Sequence, residues 1–254
     1  MDLLFRYFTY LLKTIKKHQI HSPLVSDLYT NVIKVKHPYY IFENIESVRS
    51  KMILSQSKIS VSDFGTGRST IRSVSSIAKK SLKSAKYGQL LFRLVNHFQP
   101  KMILELGTSF GITSCYLALA NTSSQVTTIE GCPEIAKIAK NNFDLLSATN
   151  IDLVVGSFDN MLHGELKKLN KLDFVFFDGN HNLVPTLDYF EQCLKRSHED
   201  SVFIFDDIHW SKNMERAWNT IKTHPKVTSS IDLFELGIVL FRKEQKKQAL
   251  SLLY

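Results

Sequence analysis

Three aspartates and one histidine stand where they could do chemistry. Asp178 follows the apolar run Leu172 to Phe177, and Asp206 and Asp207 follow Val202 to Phe205, so each carboxylate lies just past a short buried strand. Adjacent strands would bring those ends to one crevice, where three carboxylates repel one another unless a cation or protons intervene. Hard oxygen ligands favour Mg²⁺, with Mn²⁺ or Ca²⁺ as alternatives. A purely structural role, capping helices and orienting loops, stays open. His181, in Asp178-Gly179-Asn180-His181, adds an imidazole that can take a hydroxyl proton at neutral pH. His209 and Trp210 come directly after Asp207; they would border a substrate or pack at its rim.

A second constellation lies upstream. The segment Ile103-Leu104-Glu105-Leu106-Gly107-Thr108-Ser109-Phe110-Gly111 reads as a strand, a glycine-bearing turn and the start of a helix. Gly107 and Gly111 would let backbone approach a ligand with no side chain in the way. Glu130 ends the next strand, 23 residues beyond Gly107, where a carboxylate can accept hydrogen bonds from both ribose hydroxyls of an adenosine. A pyrophosphate-binding turn needs G-x-G-x-x-G, but the second and third positions counted from Gly107 hold Ser109 and Ile112. The spacing instead suits an adenosine cofactor without phosphates, whose ammonium and carboxylate would meet Glu105 and the turn backbone. Asp63-Phe64-Gly65-Thr66-Gly67 imitates such a turn, but no acid follows it until Glu105.

Positioning these groups takes a regular alternation of strands and helices. Short apolar runs at Met102 to Leu106, Val126 to Glu130, Leu153 to Val155, Leu172 to Phe177 and Val202 to Phe205 alternate with amphipathic stretches such as Ile135, Ile138, Ala139 and Phe143. Two further runs, Ser230 to Phe234 and Gly237 to Phe241, are separated only by Glu235 and Leu236, too short a link for a crossover helix, and are expected to pair antiparallel. The expected fold is α/β, a Rossmann-like, doubly wound, mostly parallel seven-stranded sheet with an antiparallel last strand pair and an N-terminal helical extension. The expected parts are a helical segment over residues 1–57, a basic connector over 58–85, the ligand-binding domain over 86–243 and a peripheral tail over 244–254. Ser22 and Pro23 predict a capped helix over Leu24 to Val35.

The sequence resembles class I S-adenosylmethionine-dependent methyltransferases, most closely the catechol and caffeoyl-CoA O-methyltransferase group. The matching features are Lys86-Tyr87-Gly88-Gln89, Glu105-Leu106-Gly107 with Gly111, Glu130 followed by Pro133, Gly156-Ser157-Phe158, Leu172-Asp173 before Asp178, and Asp206-Asp207, spanning about residues 86 to 242. The resemblance implies that Glu105, Gly107, Thr108, Ser109 and Gly111 line the methionine end of S-adenosyl-L-methionine, Glu130 and Gly131 the ribose, and Ser157 and Phe158 the adenine, with Asp178 also close to the cofactor. It implies a divalent metal on Asp178, Asp206 and Asp207, although the family has asparagine at the position of Asp207. The catechol enzyme has its general-base lysine at the position of His181, so His181 and Asp178 are the expected catalytic residues. The expected reaction is methylation of a hydroxyl on a small molecule.

Charge and composition set the alternatives. The formal net charge of +8 is matched by one acid-free stretch carrying Arg68, Arg72, Lys79, Lys80, Lys83, Lys86, Arg93 and Lys101. It suits either a solvated helix face or a polyanionic partner, so an RNA-directed methyltransferase is the alternative, with a silent cofactor-binding protein as a third reading. The apolar start, Met1 to Leu12, is broken by Asp2 and Arg6 and followed by Lys13, Lys16 and Lys17; it lacks a signal peptide's charge order and is too short to span a bilayer. It is expected to be an amphipathic helix docking on the body or on a second subunit in a homodimer, with membrane-surface attachment as the other option. Cys115, Cys132 and Cys193 show no metal or disulfide spacing, which fits reduced thiols in a cytoplasmic protein.

Overall fold

The computed structural model describes residues 3–15, 20–62, 69–243 and 247–254. The glycine-rich segment Asp63 to Gly67 lies outside the described residues, as do Lys16 and Lys17. Two compact units emerge: a first formed by Met1–Val35 with Leu166–Tyr254, and a second formed by Lys36–Glu165. The expected N-terminal segment is therefore divided between the units.

In the second unit, helix α3 (Ile41–Leu54) leads to an antiparallel hairpin, β1 (Lys58–Ser62) and β2 (Ser69–Ser73), and then helices α4 (Val74–Ser81) and α5 (Ala85–Phe98). The expected connector is thus structured: Val74, Ile77 and Ala78 of α4 bury their side chains against Phe110, Cys132 and Ile135. Helix α5 stops where Gln99 turns left-handed (φ 48°) ahead of Pro100, which cannot continue it. The parallel strands β3 (Met102–Leu106), β4 (Gln125–Glu130) and β5 (Ile151–Val155) follow in that spatial order, linked by helices α6 (Ile112–Ala120) and α7 (Pro133–Leu145). Ile135, Ala139 and Phe143 of α7 are buried at the predicted helical spacing, while β5 is half-exposed.

In the first unit, α1 (Leu3–Lys13) is followed by α2 (Pro23–Leu28), whose Ser22 Oγ accepts the Val25 N–H as its cap and which continues as a π-helical turn over Tyr29–Ile33. Strands β6 (Phe174–Phe177) and β7 (Val202–Phe205) are parallel and buried at every position, as expected of strands covered on both faces. Helices α9 (Leu183–Leu194) and α10 (Lys212–Thr223) flank β7 in sequence, and α8 (Phe158–Lys168), most of which belongs to the second unit, precedes β6. The predicted antiparallel pair forms as β8 (Ser229–Asp232) and β9 (Gly237–Leu240), with β9 also antiparallel to β7.

The fold is α/β with a mostly parallel sheet, as expected, but among the described residues the large sheet has eight strands rather than seven. The added strand β10 (Gln248–Ser251) runs parallel to β8 at the sheet edge, so the tail is not merely peripheral. Its apolar Leu250 and Leu252 are anchored by ladder bonds, and Leu252 is fully buried.

Candidate active site

The turn after β3 is built by backbone conformation. Gly107, Ser109 and Gly111 all have positive φ, at 110°, 48° and 75°. A side chain at Gly111 would collide with the Phe143 ring, so packing and the positive φ both call for glycine here. Thr108 is buried and its hydroxyl shares a 2.7 Å hydrogen bond with Thr128, leaving its backbone on the turn.

Beneath that turn lies Glu105, fully buried. Its Oε2 accepts hydrogen bonds from Ser114 and, at 2.6 Å, from Thr128, while its buried Oε1 has no partner among the described residues. Burial pushes its pKa up to about 7, the Ser114 and Thr128 bonds hold it back, and the nearby Glu130 charge raises it further. Ser114 and Thr128 escaped the sequence reading; pairing β3 with β4, which sets Glu105 opposite Thr128, reveals the latter. Glu130 ends β4, where its two oxygens accept the backbone N–H groups of Ser109 and Cys132, each at 2.9 Å. Burial raises the Glu130 pKa, and the N–H groups of Cys132, Ser109 and Gly131 oppose that shift. The hydroxyl of Ser109 is also buried and unpartnered among the described residues. Gly131 follows β4 directly, and Ser157 and Phe158 sit half-buried at the end of β5.

In the first unit the register aligns Phe177 with Phe205, so Asp178 and Asp206 leave neighbouring strand ends. Asp206 is 2% exposed, and Asp207 turns into the left-handed region at φ 54°. His181 Nε2 lies 3.7 Å from Asp178 Oδ1 and 3.9 Å from Asp207 Oδ2. Imidazole thus stands between the two carboxylates, where a cation had been expected. Among the described residues no group of three or more His, Cys, Asp or Glu side chains is placed to hold a metal ion. Asp206 is buried and Asp178 and Asp207 face His181, so the three aspartates do not form such a group in this geometry.

His209 is held by partners of its own. Its Nε2 meets Asp232 at 2.9 Å, its Nδ1 meets Glu215 at 3.2 Å, and its ring stacks on Phe234. Burial disfavours its charged form, yet Asp232 and Glu215 raise its pKa overall. Trp210 is largely exposed. Arg68 lies outside the described residues; the rest of the basic stretch is scattered over β2, α4, the link to α5, α5 itself and the approach to β3, and Arg93 within it is buried.

Residues 104–208 match the methyltransferase-domain family, and the fold is shared by solved O-methyltransferases. The chain is similar to the O-methyltransferase imqG of Aspergillus flavus, 29% identical over 117 residues that cover 42% of this chain and 45% of that protein. It is also similar to a catechol O-methyltransferase of Niastella koreensis, 27% identical over 128 residues, 49% of this chain and 57% of that one. The chain spans about half the length of these curated relatives. The solved O-methyltransferase of Bacillus cereus, in complex with SAH, shares the fold with a TM-score of 0.58 at 20% identity, over 85% of this chain and 97% of that one.

Proposed function

We propose that this protein is an S-adenosyl-L-methionine-dependent O-methyltransferase acting on a small hydroxylated molecule. The observation that carries the proposal is the pair of carboxylates near the ends of β3 and β4: Glu105, fully buried with one oxygen unpartnered among the described residues, and Glu130, half-buried and held by the backbone N–H groups of Ser109 and Cys132. Glu105 Oε1 and the turn of Gly107, Thr108, Ser109 and Gly111 would receive the ammonium and carboxylate of the methionine end. Beyond its backbone bonds the Glu130 carboxylate keeps acceptor capacity for the ribose hydroxyls, with Gly131 alongside. Ser157 and Phe158 would border the adenine.

S-adenosylmethionine, when bound, supplies an electrophilic methyl group on a sulfonium and leaves as the thioether. On the acceptor side, His181 Nε2 faces Asp178 and Asp207, which leaves Nδ1 to take the hydroxyl proton while the carboxylates stabilise the imidazolium. Asp178 therefore acts as a positioning residue.

The test is calorimetry with S-adenosylhomocysteine. Wild type is expected to bind, and Glu130→Ala to lose roughly tenfold to hundredfold in affinity, the effect of removing a charged hydrogen-bond acceptor. A protein that binds NADH but neither S-adenosylmethionine nor its product would overturn the assignment.

A further inference from the structure

Helix α1 is inside out. Its buried positions are Arg6 and Tyr10, while Leu4, Phe8 and Leu12, spaced to form one stripe, are 63%, 57% and 89% exposed, with Phe5 beside them. The polar side is fastened: Arg6 Nη1 donates to the carbonyls of His209 and Trp210 at 3.0 and 2.9 Å, and Tyr10 donates to the Leu252 carbonyl. The apolar stripe is therefore held outward by the docking of the opposite face. Trp210, tied to α1 through Arg6, is exposed as well.

The stripe runs directly into a basic cavity. Lys13, next to Leu12, lines a cavity of about 260 Å³ together with Lys222, Trp218, Ser230, Asp232 and Ser251. Asp232 is already engaged by His209 Nε2 and by the Phe234 N–H, each at 2.9 Å. The buried Trp218 indole N–H finds no acceptor among the described residues. Burial lowers the Lys222 pKa, Asp232 opposes that, and Lys13 lowers it again, so an anion would relieve both pressures.

We propose that this face docks on an anionic phospholipid surface, the stripe Leu4, Phe5, Phe8 and Leu12 entering the acyl boundary while Lys13 and Lys222 receive a headgroup phosphate. An apolar helix face beside a two-lysine cavity meets both demands of such a surface, apolar burial and negative charge. A second copy of the chain meets them less well, because each copy carries a net charge of +8 and would bring its own lysines to the contact.

The full-length protein is to be sedimented with vesicles of phosphatidylcholine alone and of phosphatidylcholine mixed with phosphatidylglycerol. It is expected to sediment with the anionic vesicles, less so at high salt. Leu12→Glu, at an exposed position, is expected to keep the wild-type circular dichroism and to weaken vesicle binding roughly tenfold or more. Lys222→Gln is expected to lose the preference for anionic vesicles. The proposal is overturned by absence of vesicle binding, by equal binding to neutral vesicles, by binding of inorganic phosphate without vesicle binding, or by a dimer in light scattering that Leu12→Glu dissociates. None of these readouts depends on methyl transfer.

Discussion

Glu105 meets the cost of burying a carboxyl group by holding its proton. Its pKa in the folded chain is about 7 against an ordinary 4.5, so below 4.5 both folded and unfolded chains are protonated and its contribution to stability is fully present. As pH rises towards 7 the unfolded chain gives up the proton first, and stability falls until the folded chain also ionises. The melting temperature of the free protein is expected to decline across this window, and Glu105→Gln to flatten the decline. The ammonium of the methyl donor would pull the same pKa down, so affinity for S-adenosylhomocysteine should rise with pH through about 7; calorimetry at several pH values checks it. For the imidazole, His181→Ala is expected to lose roughly 10² to 10⁴ in turnover, with partial recovery at alkaline pH where the acceptor ionises unaided. Because His181 faces Asp178 and Asp207, turnover is expected to survive a chelator. Loss on chelation with recovery on adding Mg²⁺ would show that these aspartates rearrange around an ion.

At the scale of elements, α5 sets helix propensity against packing. Gly88 lies inside this helix, where alanine is ordinarily better by about 1 kcal/mol. A Cβ there would stand 2.6 Å from the ring of Tyr116. That ring is fully buried, and its hydroxyl donates to Glu46 at 2.7 Å, which in turn pairs with Arg49 at 2.8 Å. The ring has no easy way to give, so Gly88→Ala is expected to destabilise by about 1 to 3 kcal/mol, measured by denaturant unfolding. The Lys86-Tyr87-Gly88-Gln89 motif thus has a packing reason for its glycine.

At the scale of the molecule, the amino-terminal residues serve two bodies. Residues to Val35 belong to the first unit, and those from Lys36 to the second, where Phe42 and Glu46 of α3 contact Tyr116. Deleting residues 1–57 is expected to expose apolar surface in both units and to cause aggregation on size exclusion. Deleting only residues 1–35 should preserve slow amide exchange around Tyr116, because α3 remains. A monodisperse, fully active protein lacking residues 1–57 would show the segment to be dispensable.

The sequence by itself determined the strands that alternate with helices, the glycine turn and the acid at the end of β4, because apolar runs bounded by glycine, proline and acids are local signals read over a few residues. Val202 to Phe205 and Met102 to Leu106 lie where their pattern placed them, and the short link Glu235-Leu236 was enough to require an antiparallel pair. Only the tertiary structure decided which carboxylates share a neighbour. Asp178, Asp206 and Asp207 look alike as strand-end acids, yet a buried Asp206 and the left-handed turn at Asp207 leave His181 between the other two. His209, placed by sequence beside the chemistry, is drawn to Asp232 and Glu215 because those partners come from elements that fold in from 23 and 6 residues away. The outward apolar face of α1 was equally hidden: its pattern announces an amphipathic helix, but only the hydrogen bonds of Arg6 and Tyr10 fix which side is buried.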